Sequence, residues 1–289
     1  MDMRYFCPRT LDEAVAAFAA AGNAGRILAG GTDLLVQMRS GAVRPALIVD
    51  IKKIPEMTAV EETADGGFRI GAAVSGAVLA EHPRFGDVWP GVLEAVNLIG
   101  STQVQGRASP GGNLCNGSPA GDSVPAMFAA AARVTVQGPD GRREMPVEQV
   151  PAGPGRTNLK PGEIVVSFRL PPRPPGSGDA YLRMIPRSEM DIAVVGCGVC
   201  LTLDGKGTCT AARVGLGAVA PRPLLVAAAA NALIGSKVDE AALSKLDAAA
   251  RAACVPIDDK RGTKEYRVKV AGVLARRAAQ IALERARKS

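Results

Sequence analysis

Along this chain, apolar residues come mostly in short runs separated by turn-forming polar residues, a pattern that predicts mixed helix and strand. Thr10 and Glu13 form a capping box that opens a helix running to about Ala21. Arg26–Leu28 and Leu47–Asp50 read as short buried strands, so the chain opens as a small β-α-β unit. From 58 the pattern changes to hairpins: a strand at 58–62, a turn at 64–67 and a strand at 68–72. Ser75 caps a short helix to Glu81, an amphipathic helix spans 91–99, and Pro125 lies in the first turn of another. Strands at 133–137 and 142–145 flank the turn Pro139-Asp140-Gly141, and 164–170 is a further strand. The proline-rich stretch 171–178 stops both helix and central strand and reads as a linker. Beyond it come a hairpin of 193–203 and 209–219, then helices near 223–234, 239–253 and 264–287. Two domains follow, 1–176 and 177–289.

Composition narrows the function. With 47% hydrophobic residues in 289, the chain buries a full core. Its net charge of +7 comes from scattered basic residues, aromatics are only 3%, and no DNA-reading motif is present, so nucleic acid is not an expected partner. No run is long and apolar enough for a membrane span or a leader. The 6 cysteines are irregularly spaced and form no disulfide framework, which points to a reducing cytoplasm. The single histidine, His82, rules out a Ser-His-Asp arrangement and a His-based zinc site, and reads as a solvated surface residue. Cys197 and Cys200 have C-x-x-C spacing, but within a strand they point to opposite faces and read as packing residues. No metal ligand and no acid–base pair emerge.

Two stretches remain that carry chemistry. The first is Ile27-Leu28-Ala29-Gly30-Gly31-Thr32-Asp33-Leu34, ahead of one or two helical turns; the second is Ser109-Pro110-Gly111-Gly112-Asn113, followed by Asp122. Paired glycines let the backbone turn tightly and approach a ligand, and successive N–H groups in such a turn make a nest for phosphate oxygens. Two such loops suit one diphosphate, hence a dinucleotide cofactor. Neither is a G-x-G-x-x-G or P-loop signature. Asp33 reads as the cap of the helix that follows.

On these two stretches the chain resembles the FAD-binding medium subunits of the molybdenum hydroxylases, the group that contains xanthine and carbon monoxide dehydrogenases. The segments Arg187 to Ala193, Leu216 to Pro223 and Arg261 to Arg267 look like three further segments of that family. Ser109-Pro110 stands where the family has Thr-Ile, which removes one backbone donor and fixes a φ angle. The resemblance implies an α+β fold: a two-subdomain FAD-binding domain of the p-cresol methylhydroxylase type, then a smaller α+β domain of antiparallel sheet and helices. It implies FAD contacts from both stretches, and from Ile99, Asp122, Val165 and Arg183. It also implies a large partner subunit with the molybdenum cofactor and a small partner with two 2Fe–2S clusters, joined as a dimer of heterotrimers. This chain would then pass electrons through FAD to an external acceptor.

Other readings stay open on the residues alone. One is a stand-alone flavin oxidoreductase using Tyr266 or Arg187. Another is a cofactor-free scaffold, against which the intact glycine pairs speak. Arg187, Asp191, Arg261 and Tyr266 read as holding the second domain and its interface, the commoner role for such polar positions, and the arginines of the last helix (Arg276, Arg277, Arg285 and Arg287) suit docking or a solvated face equally.

Overall fold

The computed structural model describes residues 3–289. It opens with β1 (Arg4–Phe6), α1 (Leu11–Ala21), β2 (Gly25–Leu28), α2 (Leu34–Arg39) and β3 (Leu47–Asp50), and its three-stranded sheet is parallel in the order β1-β3-β2. The capping box is present: Thr10 Oγ1 accepts the Glu13 N–H, and Glu13 accepts the Thr10 N–H. β1 was not expected. It is an edge strand with every residue exposed, so no alternation marks it.

Small helices and hairpins follow: α3 (Pro55–Thr58), β4 (Val60–Glu62), β5 (Phe68–Gly71), α4 (Gly76–Glu81), α5 (Phe85–Val88), α6 (Pro90–Val96), α7 (Thr102–Gln105), α8 (Pro110–Cys115) and α9 (Ser123–Ala129). Then come β6 (Arg133–Gly138), β7 (Gly141–Pro146), β8 (Pro151–Gly153), β9 (Arg156–Thr157) and β10 (Ile164–Leu170). A five-stranded antiparallel sheet, β4-β5-β10-β6-β7, puts β10 at its centre. That position explains its nearly continuous apolar run, since a central strand covered on both faces has no side to leave polar.

The second domain has β11 (Ser177–Met184), β12 (Val195–Leu203), β13 (Cys209–Gly217) and β14 (Leu224–Leu225) in an antiparallel sheet of that order. α10 (Ala227–Asn231), α11 (Glu240–Ala252) and α12 (Lys264–Ala286) complete it. Two expectations are corrected here. The proline-rich stretch gives way to strand at Ser177, because Ser177 and Gly178 pair with Thr202 and Leu201. The helix expected near 223–234 is shorter, since Leu224 and Leu225 pair with β13 first.

α12 packs against one face of this sheet and α9 of the first domain against the other. Cys197 faces the α12 side in the second domain's core, and Cys200 packs against the core of the first. The strand alternation predicted this separation.

Candidate flavin site

β2 and β3 end side by side at Leu28 and Asp50, at the carboxyl edge of a parallel sheet, and the first glycine stretch leaves from there. Carbonyls of Gly31 and Asp33 accept the N–H groups of Leu35 (3.0 Å) and Gln37 (2.9 Å), starting α2. The N–H groups of Gly30, Gly31, Thr32 and Asp33 bond to no protein acceptor among the described residues. Gly31 takes φ +81°, which places successive peptides at an angle that only glycine adopts cheaply. A run of successive unbonded N–H groups is the kind of donor set that diphosphate oxygens require.

Gly30 also sets where this loop sits. A Cβ on it would overlap the carbonyl oxygen of Arg107. Arg107 Nε reaches back to the Gly30 carbonyl at 3.4 Å, and Gln37 Nε2 donates to Asn116 Oδ1 at 3.0 Å. The first glycine stretch therefore lies against the residues that flank the second, although 77 residues separate Gly30 from Arg107.

The second stretch is not the open nest expected of it. It is the start of α8: Ser109 Oγ accepts the Gly112 N–H (3.1 Å), and the Ser109 carbonyl accepts that of Asn113 (2.9 Å). The Gly111 N–H goes to the Ala72 carbonyl (3.1 Å), and Pro110 has none. Ser at the N-cap followed by Pro in the first turn is a helix-start signal, and the cap took the Gly112 and Asn113 donors while Ala72 took that of Gly111. Asn113 Oδ1 accepts from the Ser123 N–H (3.1 Å) and Oγ (2.7 Å), which ties α8 to α9.

Asp122 stands just before α9 and is 8% exposed. Arg183 donates to its Oδ2 at 2.9 Å and to the Leu98 carbonyl, beside Ile99, at 2.7 Å. The Tyr181 hydroxyl donates to Asp122 Oδ1 at 3.1 Å. Burial pushes the Asp122 carboxyl up to about 6, with Arg183 and Tyr181 pulling the other way. Ile99, Asp122 and Arg183 are thus brought together at the junction of the domains.

Comparison with known proteins decides the family. Residues 1–173 match the model of the FAD binding domain in molybdopterin dehydrogenase, and 180–282 match the CO dehydrogenase flavoprotein C-terminal domain. The chain is 33% identical over 288 residues to the carbon monoxide dehydrogenase medium chain of Afipia carboxidovorans, covering 98% of this chain and 97% of that one. It is 31% identical over 244 residues to a putative xanthine dehydrogenase FAD-binding subunit of Escherichia coli strain K12, with 84% and 83% covered. Reconstituted CO dehydrogenase from Oligotropha carboxidovorans contains a chain that superposes with a TM-score of 0.94 at 33% identity, covering 99% of each. This chain belongs to the FAD-binding subunit family of the molybdopterin dehydrogenases.

Within this flavoprotein subunit, several expectations are refined. Asp33 occupies the N-cap position of α2 but makes no capping bond: its helical backbone (φ −95°, ψ −48°) is not the extended conformation of a capping side chain. Val165 is 3% exposed in the core, next to Val166, whose carbonyl accepts the Ala72 N–H. β10 therefore supports α8 through Ala72, and the Val165 side chain has no open face. His82 is half-buried rather than solvated. Its Nδ1 accepts the Arg84 and Phe85 N–H groups (3.3 and 3.2 Å), and its ring stands edge-on to Phe68.

Arg261 and Arg187 both bind Asp191 of the second domain (2.8 and 3.4 Å), and together with the Ile192 N–H they hold its carboxyl down to about 2. Among the last helix's arginines, Arg276 pairs with Glu240, and Arg285 pairs with Glu94 and donates to the Asp179 carbonyl at 2.7 Å. Those two serve the fold and leave Arg277 and Arg287 for solvent or partners. Among the described residues no group of three or more His, Cys, Asp or Glu gathers to hold a metal, and no helix is long and apolar enough to cross a membrane. Sequence reasoning missed Tyr181. Its place two residues before Arg183 on one strand face was the available signal, hidden because the strand itself was not expected.

Proposed function

We propose that this chain is the FAD-carrying electron-transfer subunit of a molybdenum-containing hydroxylase or dehydrogenase complex. The observation that carries this reading is the first glycine stretch: donors left unbonded in a loop pressed against Arg107 and Ala108, which lead into the second glycine stretch. FAD supplies redox chemistry in one- or two-electron steps. The residues of this chain bind and orient it. Ile27 to Leu34 cradle the diphosphate through backbone N–H groups. Ser109 to Asn113 form the wall behind it, and Ile99, Asp122 and Arg183 line the flavin end, with β10 at Val165 as support. The division is 1–176 for the flavin domain and 177–289 for the second. A small partner subunit with two 2Fe–2S clusters delivers electrons, and a large partner with the molybdenum cofactor oxidises the organic substrate. The assembly is a cytoplasmic dimer of heterotrimers that reduces an external acceptor.

The test is purification from the native source, followed by reconstitution with and without companion subunits. Noncovalent FAD, and flavin bleaching by substrate only when the partners are present, are expected. Absence of flavin, or rapid bleaching of the isolated chain by the organic substrate, overturns the reading.

A further inference from the structure

Tyr181 belongs to the second domain, yet its side chain lies in a small cluster with Ala95 of α6 and Ala126 of α9, both in the first domain. It is 2% exposed, and the hydroxyl's single hydrogen bond among the described residues runs to Asp122 Oδ1. Phenylalanine would fill the same space. A buried hydroxyl costs free energy unless it is bonded, so the oxygen is explained by Asp122 and not by packing. Tyr181 and Arg183, two apart on β11, reach Asp122 from the same face and take one carboxylate oxygen each. The neighbouring strand makes room for this. A Cβ on Gly196 would overlap the Tyr181 hydroxyl oxygen.

We propose that Tyr181 is a positioning residue for the flavin site: its hydroxyl fixes the orientation and charge of the Asp122 carboxyl, so that docking of the second domain sets the charge facing the flavin. This rests on the reading of Asp122 as a flavin neighbour. The charged and titratable groups around the pair are few. Arg183 faces Asp122 from β11, and Cys197 of β12 stands nearby with its side chain on the opposite, α12 face of the sheet. Glu94 on α6 accepts the Tyr181 N–H at 3.0 Å and is itself paired with Arg285 of α12. An O–H donor stabilises the ionised carboxyl over the neutral one, in the same sense as Arg183 and against burial. Without it, Asp122 takes up its proton at higher pH, and a carboxyl that is neutral more of the time leaves less negative charge opposing flavin reduction.

The experiment uses the full chain loaded with FAD and compares wild type with Tyr181→Phe. The variant is expected to keep its flavin. The Asp122 carboxyl titration, followed by carbon-13 NMR, should shift to higher pH, and the flavin reduction potential at pH 7 should rise. Gly196→Ala displaces the hydroxyl by a second route and should shift both readouts in the same direction. Added to Tyr181→Phe, it should shift them little further, the non-additivity expected when two changes remove one contact. An unchanged Asp122 titration in Tyr181→Phe overturns the proposal, and so does a moved titration with an unmoved potential. A wild-type chain that binds no FAD counts against the flavin reading instead, while the carboxyl titration still decides the role of Tyr181.

Discussion

Arg183 and Asp122 form an ion pair of 2.9 Å across the junction of the two domains, with side chains only 4% and 10% exposed. A pair so far from water is costly to break from one side, because the remaining charge keeps its desolvation penalty without its partner. Arg183→Met is therefore expected to lower unfolding free energy at pH 7.5 by about 3–5 kcal/mol. The loss should shrink at pH 5, where the orphaned carboxyl takes a proton. Chemical denaturation at the two pH values checks this, and an equal loss at both contradicts it.

The pH dependence of the wild-type fold follows from two buried carboxyls. Asp122 and Asp179 are both pushed up to about 6 by burial, the latter in spite of Arg173 at 2.8 Å and Arg285 nearby. Their ordinary value is 3.8, so between roughly pH 4 and 6 the folded chain binds protons at these sites that the unfolded chain has released. In that window these two groups make the protein more stable as pH falls and less stable as it rises. The contribution is at most about 3 kcal/mol for each. Asp122→Asn and Asp179→Asn should flatten this part of the stability profile, whereas Asp191, held at about 2, keeps its charge throughout it.

The two glycine stretches should fail in different ways. Gly30→Ala forces the first loop away from the Arg107 carbonyl and should weaken FAD binding at least tenfold, about 1.4 kcal/mol, with the fold retained. Gly111→Val acts on the other side: a Cβ there overlaps the Ala72 carbonyl, behind α8. It should cost about 1–3 kcal/mol of stability by overpacking, with flavin lost as a consequence. Flavin titration alongside thermal melts separates the two outcomes.

Cys197 and Cys200 are expected to pack and not to ligate. They lie on opposite faces of β12, in different cores, and burial pushes both thiols up, Cys200 to about 12. Elemental analysis of the isolated chain should find no stoichiometric iron, zinc or molybdenum. Thiol reagents should leave the buried Cys197 untouched in the native state.

What the sequence determined by itself were the features whose physics is local. Thr10 and Glu13 cap α1, and Ser75 caps α4 through the Val78 N–H at 3.3 Å, because cap and helix are a few residues apart. The central strand β10 and the opposite facing of Cys197 and Cys200 followed from apolar runs and alternation. The glycine pairs marked places where the backbone is under unusual demands, with Gly31 at φ +81° and Gly30 and Gly111 packed against carbonyls, because such demands show as unusual residues. Tertiary structure decided what depends on partners distant in the chain. The edge strand β1 exists because Leu47 to Val49 offer it a neighbour. The donors of Ser109 to Asn113 were consumed in part by Ala72, and the donors of the first loop were left free by their position at a sheet edge. Asp122 acquired Tyr181 and Arg183 only when the second domain folded back against α6 and α9. A hydrogen bond between residues 59 or 61 positions apart leaves no mark in either local sequence. Its existence depends on which surfaces the folded chain buries together.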